Sequence, residues 1–443
     1  MRVMVDMSAT LLHHGHVRLL KKAKELGTVV VGLTSDAEVL ARKGYLPELP
    51  FAARKEILEA LRYVDEVVET PWLIDDAVLA KHAIDFLVHG SDNSNEIDPS
   101  KLVAFPRTEG VSSSQMRERS VAAIVAVKNR KALFSAGPAS LLPENLLGLE
   151  PCFGRGDPAY QAIEDRVLAK LKQLAGQSEI VRLQGSASTA LEVAVRNFAH
   201  SRVLVVSTGY YAERLAGFCR DAKNRGVINQ LDVIPYAKRS EATGRYDWVL
   251  TVYTETSIGL RNDIRDMRAL ADKLGARLLV DATGSIGLEE HHELADVVAF
   301  SSCKGLFGLA GAAFVAHKVP PDVAEPSFSL SLANHAQRSM TGPYHAICSL
   351  DRVLEDHAGF REAVNTGKRL FTRRYADRLG WRDEEQPLLC TLLRGRVVPR
   401  DSNVVLYAPR ALELGHSVVC HLGEVHLGRA ARGEIYSRIE VTD

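Results

Sequence analysis

The chain has 443 residues, 46% hydrophobic and 25% charged, with a formal net charge of zero at neutral pH. That length predicts two or three domains with sizeable cores, and the balanced charge excludes a bulk field that would gather nucleic acid or an anionic membrane. Six scattered cysteines without CxxC spacing, no apolar leader and no long apolar run predict a cytoplasmic protein with reduced thiols, no zinc site and no membrane span.

Residues 1–120 alternate short apolar runs with amphipathic stretches. Residues 2–6 read as a strand, and 16–26 as a helix with Leu19, Leu20 and Ala23 on one face. Residues 28–33 are a buried strand, 52–61 a helix, 66–69 a short strand and 86–89 another. This βαβα order predicts an α/β domain whose parallel sheet binds ligands at the carboxyl ends of its strands. Neither GxGxxG nor GxxxxGK[ST] is present. Instead His13-His14-Gly15-His16 falls where the first strand gives way to the first helix. A helix start favours anions, glycine admits a close approach of backbone to ligand, and imidazoles there can stabilise charge on a displaced phosphate.

Three further segments extend that reading. With HxGH, the run Arg62-Tyr63-Val64-Asp65-Glu66-Val67-Val68 and the run Arg107-Thr108-Glu109-Gly110-Val111-Ser112-Ser113-Ser114 make the domain resemble the cytidylyltransferases that form CDP-glycerol, CDP-choline and CDP-ethanolamine. The resemblance implies catalytic His13 and His16. It implies a nucleotide site of Ser8, Ala9, His13, His16, Lys43, Asp92, Arg107, Thr108, Ser112, Ser113 and Ser114, taking CTP with Mg2+. Where that family reads GTFD, this chain has Met7-Ser8-Ala9-Thr10. Glu69-Thr70-Pro71-Trp72 and Ile84-Asp85-Phe86 look like the choline and ethanolamine branch. Asp75 stands where the glycerol branch has a lysine. Trp72, Asp75 and Asp76 are therefore expected to receive an acceptor with a cationic end; Asp75 and Asp76 also suit a plain helix start.

Residues 117–130 read as the last helix of a first domain spanning 1–128, with a second domain over 129–443. In the second, an apolar run ends in Asp281, and Lys304 follows twenty-three positions later inside Ser301-Ser302-Cys303-Lys304-Gly305. A lysine amine condenses with an aldehyde, and an aspartate can keep a pyridine nitrogen protonated, the two groups pyridoxal phosphate chemistry needs most. Leu133-Phe134-Ser135-Ala136-Gly137-Pro138, Leu183-Gln184-Gly185-Ser186-Ala187-Ser188, Thr208-Gly209-Tyr210-Tyr211 and Thr254-Glu255-Thr256-Ser257-Ile258-Gly259 come before them in order. Together they resemble the class V aminotransferases of fold type I, most of all 2-aminoethylphosphonate–pyruvate aminotransferase. The resemblance implies pyridoxal 5'-phosphate on Lys304, paired with Asp281, stacked on Tyr211, approached by Thr256, and phosphate-bound by Ser186, Ala187 and Ser188. It also implies a homodimer in which a neighbour's Thr341 contacts the phosphate. Arg438, in Ser437-Arg438-Ile439-Glu440, is expected to grip a substrate carboxylate.

One metabolite would join the halves. Amination of phosphonoacetaldehyde by an amino acid donor gives 2-aminoethylphosphonate, and cytidylyl transfer to it gives CMP-2-aminoethylphosphonate. The alternatives are a phosphate ester acceptor such as phosphoethanolamine, and an aminotransferase regulated by a degenerate nucleotide-binding domain, in which Ala9 and Thr10 mark the loss.

Overall fold

The computed structural model describes residues 1–410, 415–427 and 432–442. The chain divides into two compact units, Met1–Val121 and Ala122–Asp443.

The first unit is built on a five-stranded sheet: β1 (Arg2–Met7), β2 (Thr28–Thr34), β3 (Glu66–Thr70), β4 (Phe86–Gly90) and β5 (Leu102–Phe105), in the order β3-β2-β1-β4-β5. Every pairing is parallel. Val3, Met4 and Val5 of β1 and Val29, Val30 and Val31 of β2 are all fully buried. Helices cover both faces of such a sheet, so its inner strands read as continuous apolar runs. The helices are α1 (His14–Lys24), α2 (Asp36–Lys43), α3 (Phe51–Glu59), α4 (Asp76–Lys81) and α5 (Ser113–Lys128); the division between the units falls inside α5. Helix α1 starts two residues earlier than its apolar pattern predicts. The His13 amide donates to His16 Nδ1 at 3.2 Å, so the histidines themselves close its first turn. Helix α2 has no such pattern, but its start carries a cap: the Ser35 side chain accepts from the Glu38 amide.

The second unit begins with β6 (Ala132–Phe134), α6 (Pro143–Leu147) and α7 (Pro158–Ala175). Its main sheet follows: β7 (Glu179–Gln184), α8 (Ala187–Phe198), β8 (Ser201–Ser207), α9 (Tyr210–Asn224), β9 (Ile228–Pro235) and β10 (Trp248–Val252). A small hairpin, β11 (Thr254–Glu255) and β12 (Leu260–Arg261), precedes α10 (Ile264–Leu274), β13 (Arg277–Asp281), β14 (Val297–Ser301) and β15 (Ala312–His317). The sheet order is β7-β15-β14-β13-β10-β8-β9. β15 runs antiparallel to both of its neighbours, and the remaining strands are mutually parallel. The carboxyl ends of β7, β8, β10, β13 and β14 therefore lie along one edge. Gln184, Ser207, Val252, Asp281 and Ser301 end there, each opening a segment singled out by sequence. Buried clusters fill both faces of this sheet, with Val249, Leu278 and Phe314 in one and Val205, Leu250 and Val315 in the other.

Candidate functional site

In the first unit a cleft of about 1090 Å3 opens at the carboxyl ends of β1 and β4 and the start of α1. His13, Gly15 and His16 line it together with Ser8, Lys43, Trp72, Asp92, Arg107, Thr108, Ser112, Ser113 and Ser114. The two imidazoles lie 3.9 Å apart, centre to centre. Gly15 has no side chain for a steric reason: a Cβ there would sit 2.9 Å from His13 Nδ1. Burial, then the neighbouring charges of His13, Lys43 and Arg107, hold the His16 pKa down at about 3. Its ring is neutral at pH 7. Because Nδ1 accepts the His13 amide, the proton resides on Nε2, and the ring presents a neutral donor.

Cations surround the imidazoles. Lys43 Nζ donates to Ser8 Oγ at 3.1 Å and stands 5.3 Å from the Trp72 ring centre. Arg107 pairs with Asp92 at 3.0 Å. Ser112 Oγ accepts from the Gln115 amide at 3.1 Å at the start of α5, and Ser113 Oγ donates to the Leu11 carbonyl at 3.4 Å. Ala9 takes a φ of +42°, so the departure from GTFD leaves the loop in a left-handed turn. Thr10, where that motif has its acid, accepts from Arg117 at 3.4 Å, and the same guanidinium pairs with Glu48.

Asp75 and Asp76 are a correction. Asp75 Oδ1 accepts the Val78 amide at 2.8 Å and caps α4. Asp76 pairs with Lys101 at 2.9 Å. Neither is among the residues lining the cleft. Their carboxylates are engaged in starting a helix and in a surface ion pair.

A largely buried acid that does line the cleft is Asp6, which sequence reasoning treated only as the end of a strand. Its Oδ2 accepts from Asn95 Nδ2 at 3.1 Å, while Oδ1 is buried without a hydrogen-bond partner. His89 Nε2 stands 3.7 Å from that oxygen. Burial raises the Asp6 pKa, and His89 and Asn95 pull it partly back. The available signal was position: the last charged residue of a buried parallel strand, at its carboxyl end, where such folds bind ligands.

In the second unit Lys304, Tyr211, Thr256 and Tyr407 come together. Lys304 Nζ lies 5.7 Å from the Tyr211 ring centre. The Tyr211 and Tyr407 hydroxyls are 3.4 Å apart, and Thr256 adjoins the Tyr407 phenol. Gly137, at φ +127°, makes room for the lysine stem: a Cβ there would meet Lys304 Cγ at 2.9 Å. Asp281 ends β13 at 2% exposure, its Oδ1 accepting the Thr283 amide at 2.9 Å. Ser186 precedes α8 without making a side-chain cap, with Ala187 and Ser188 in the first turn. Thr341 stands exposed before Gly342 and Pro343. Arg438 departs from expectation. Its Nη2 and Nε bind Asp401 at 2.7 and 3.0 Å, so its fork is already filled by a carboxylate of its own chain.

The chain thus joins an HxGH cleft on a parallel sheet to a second unit with a lysine, an aspartate and a tyrosine at one edge of a seven-stranded sheet. The Cytidylyltransferase-like family profile matches residues 9–119. Glycerol-3-phosphate cytidylyltransferase of Bacillus subtilis is 39% identical over 113 residues, which is 24% of this chain and 88% of that protein. Through its first unit, the chain belongs to the cytidylyltransferase-like family. 2-Aminoethylphosphonate–pyruvate transaminase of Burkholderia thailandensis is 30% identical over 233 residues, which is 46% of this chain; the chain spans 62% of that relative's length. A solved pyridoxamine–pyruvate aminotransferase from Mesorhizobium loti superposes with a TM-score of 0.57 at 20% identity, covering 69% of this chain and 91% of the other. The second unit therefore has the aminotransferase fold. Among the described residues no helix is long and apolar enough to cross a membrane.

Proposed function

We propose that the chain makes an amine-bearing phosphonate in its second unit and couples it to CMP in its first, with 2-aminoethylphosphonate as the shared metabolite. The observation that carries this reading is Asp6. A buried carboxylate whose Oδ1 accepts no hydrogen bond, in a cleft that also presents Lys43 and Arg107, suits an acceptor that has an oxyanion at one end and an ammonium at the other. Glycerol 3-phosphate has no cation to offer it. Phosphoethanolamine does, and ranks second.

In the first unit an acceptor oxygen attacks the α-phosphorus of CTP, the bond to the β-phosphate oxygen breaks, and pyrophosphate leaves. Lys43 and Arg107 hold the phosphates. The neutral Nε2–H of His16 donates to oxygen at the reacting phosphorus, and His13 flanks it. Mg2+ enters with the nucleotide, carried by its phosphates.

The second unit fits pyridoxal 5'-phosphate. The hydroxyls of Thr254 and Thr283 are buried without partners, the start of α8 has no side-chain cap, and Gly137 leaves the Lys304 stem clear. When bound, that cofactor supplies an aldehyde for amines and a ring that draws electrons. Lys304 would anchor it and carry the proton between the substrate's α-carbon and the carbon of the cofactor's aldehyde group. Asp281 would keep the ring nitrogen protonated, Tyr211 would stack on the ring, and the α8 start with Ser186 and Ser188 would take the phosphate. The homodimer and its Thr341 contact belong to the same reading.

The test is pyrophosphate release from CTP with Mg2+ and a panel of acceptors. The expected order is 2-aminoethylphosphonate, then phosphoethanolamine, with glycerol 3-phosphate poor. Preference for glycerol 3-phosphate overturns the reading.

A further inference from the structure

With Arg438 held by Asp401, the arginine expected to grip the substrates' acidic ends is engaged elsewhere, and the question is which of the described residues takes that part. The wall beside Lys304 is not where it lies. Ala136, Cys390, Leu392, Val418 and Cys420 form an apolar cluster there, with Trp381 and Tyr407 packed against it. The chain leaves this wall at Tyr407, whose hydroxyl meets that of Tyr211. Three residues later Arg410 donates to the Tyr210 hydroxyl, and its guanidinium carbon lies 5.2 Å from the Tyr210 ring centre. Tyr210 and Tyr211 stand at right angles, 5.3 Å between ring centres, so one short segment engages both tyrosines that open α9.

Arg410 differs from other arginines of this unit. Arg182 is paired with Glu164, Arg261 with Glu289 and Arg268 with Asp296. Arg214 also stacks on Tyr211, at 4.9 Å, but from within α9 and with its Nε buried. Arg410 is exposed, and its neighbours among the described residues are the phenols of Tyr210, Tyr211 and Tyr407. A guanidinium has five N–H donors. Tyr210 takes one and aligns the group by stacking, leaving the fork open.

We infer that Arg410, held by Tyr210, is the receptor for the oxyanion end of both substrates at the Lys304 site, the carboxylate of the amino acid donor and the phosphonate of the amine product. The assignment rests on the amino-transfer reading above. Donor and product exchange nitrogen at one lysine, so they visit the same place in turn. An exposed cation oriented by an aromatic face, with no carboxylate partner among the described residues, can accept a planar and a tetrahedral oxyanion alike.

The experiment uses the full chain loaded with cofactor. The change in its visible absorbance is followed as three amines are titrated: alanine, 2-aminoethylphosphonate, and propylamine, which has no acid group. Arg410→Gln should raise the half-saturating concentration of both acids about tenfold or more. It should leave propylamine unchanged and alter the limiting rate far less than the half-saturation. Arg410→Lys should recover part of the loss. The unchanged propylamine response of the same preparations reports that the second unit of each variant is folded and loaded. A shift confined to one acid, or to neither, while the wild-type protein reacts, overturns the assignment. A wild-type protein whose absorbance responds to none of the three amines sinks the amino-transfer reading itself, and this assignment with it.

Discussion

Each unit buries a carboxylate at the carboxyl edge of its sheet, and the two are treated in opposite ways. Glu255, fully buried in the second unit, accepts the amides of Tyr211 at 3.1 Å, Ala212 at 3.2 Å and Ser257 at 3.3 Å, and the Thr208 hydroxyl at 3.4 Å. It satisfies the orphan donors at the start of α9 and so fixes the tyrosines. Asp6 in the first unit has one side-chain donor, Asn95, and an oxygen without a hydrogen bond, with His89 Nε2 3.7 Å away. Burial raises the pKa of both. A buried acid that its own chain has satisfied is structural, and one left open at a cleft marks a place for a ligand.

The largest expected effect separates the two sites. Lys304→Ala should lower amino transfer by about a thousandfold or more, with CTP turnover on added 2-aminoethylphosphonate kept at the wild-type rate. Parallel loss of both activities would mean that the units do not work as independent sites.

Asp6→Asn is the next test. The change keeps the shape and removes the charge. The Michaelis constant for 2-aminoethylphosphonate should rise roughly ten- to a hundredfold, with that for CTP changed less than about twofold. The pH dependence gives an independent check. A raised pKa means Asp6 accepts a proton at higher pH than an ordinary aspartate, so wild-type acceptor affinity should strengthen as pH rises through that range. In Asp6→Asn this dependence should vanish. Equal acceptor affinity in the two proteins at every pH would place Asp6 with Glu255, as structure only.

What could be read from the sequence followed the same division. The placing of the HxGH turn at a helix start, and of Lys304, Asp281 and Tyr211 beside strand ends, was legible because it is set by neighbours in the chain. The parallel sheets were legible from buried valine runs such as 29–31. Asp75, Asp76 and Arg438 were misread, because each is decided by a partner: the Val78 amide, Lys101 and Asp401 respectively. Asp6 was missed for the converse reason. Nothing in residues 2–6 tells that Asn95, eighty-nine residues on, will satisfy one oxygen and leave the other without a hydrogen bond.

A smaller effect concerns His16. Its folded pKa of about 3 lies below the unfolded value of 6.5. Between those values the unfolded chain binds the extra proton, so stability is full above pH 6.5 and falls as the pH drops through the window. His16→Asn should flatten the fall in the melting temperature of the first transition between pH 6.5 and 4. It should also lower the nucleotidyl transfer rate much more than CTP affinity. An unchanged acid slope would mean that the imidazole is not held neutral by its surroundings.

The smallest effect comes from Asp75→Ala, which sharpens the contrast with Asp6. Asp75 accepts a backbone amide at a helix start and lies outside the cleft lining. Loss of such a cap costs about 1 kcal/mol, readable as a small drop in the denaturation midpoint of the first unit. Acceptor and CTP Michaelis constants should stay at wild-type values. Asp75→Asn or Asp75→Ser should restore the midpoint, since either side chain can accept the Val78 amide without a charge. Recovery by those neutral residues distinguishes capping from charge recognition. A Michaelis constant for 2-aminoethylphosphonate that rose in all three variants, with the midpoint unmoved, would return Asp75 to the acceptor site and remove the reason for assigning the ammonium to Asp6.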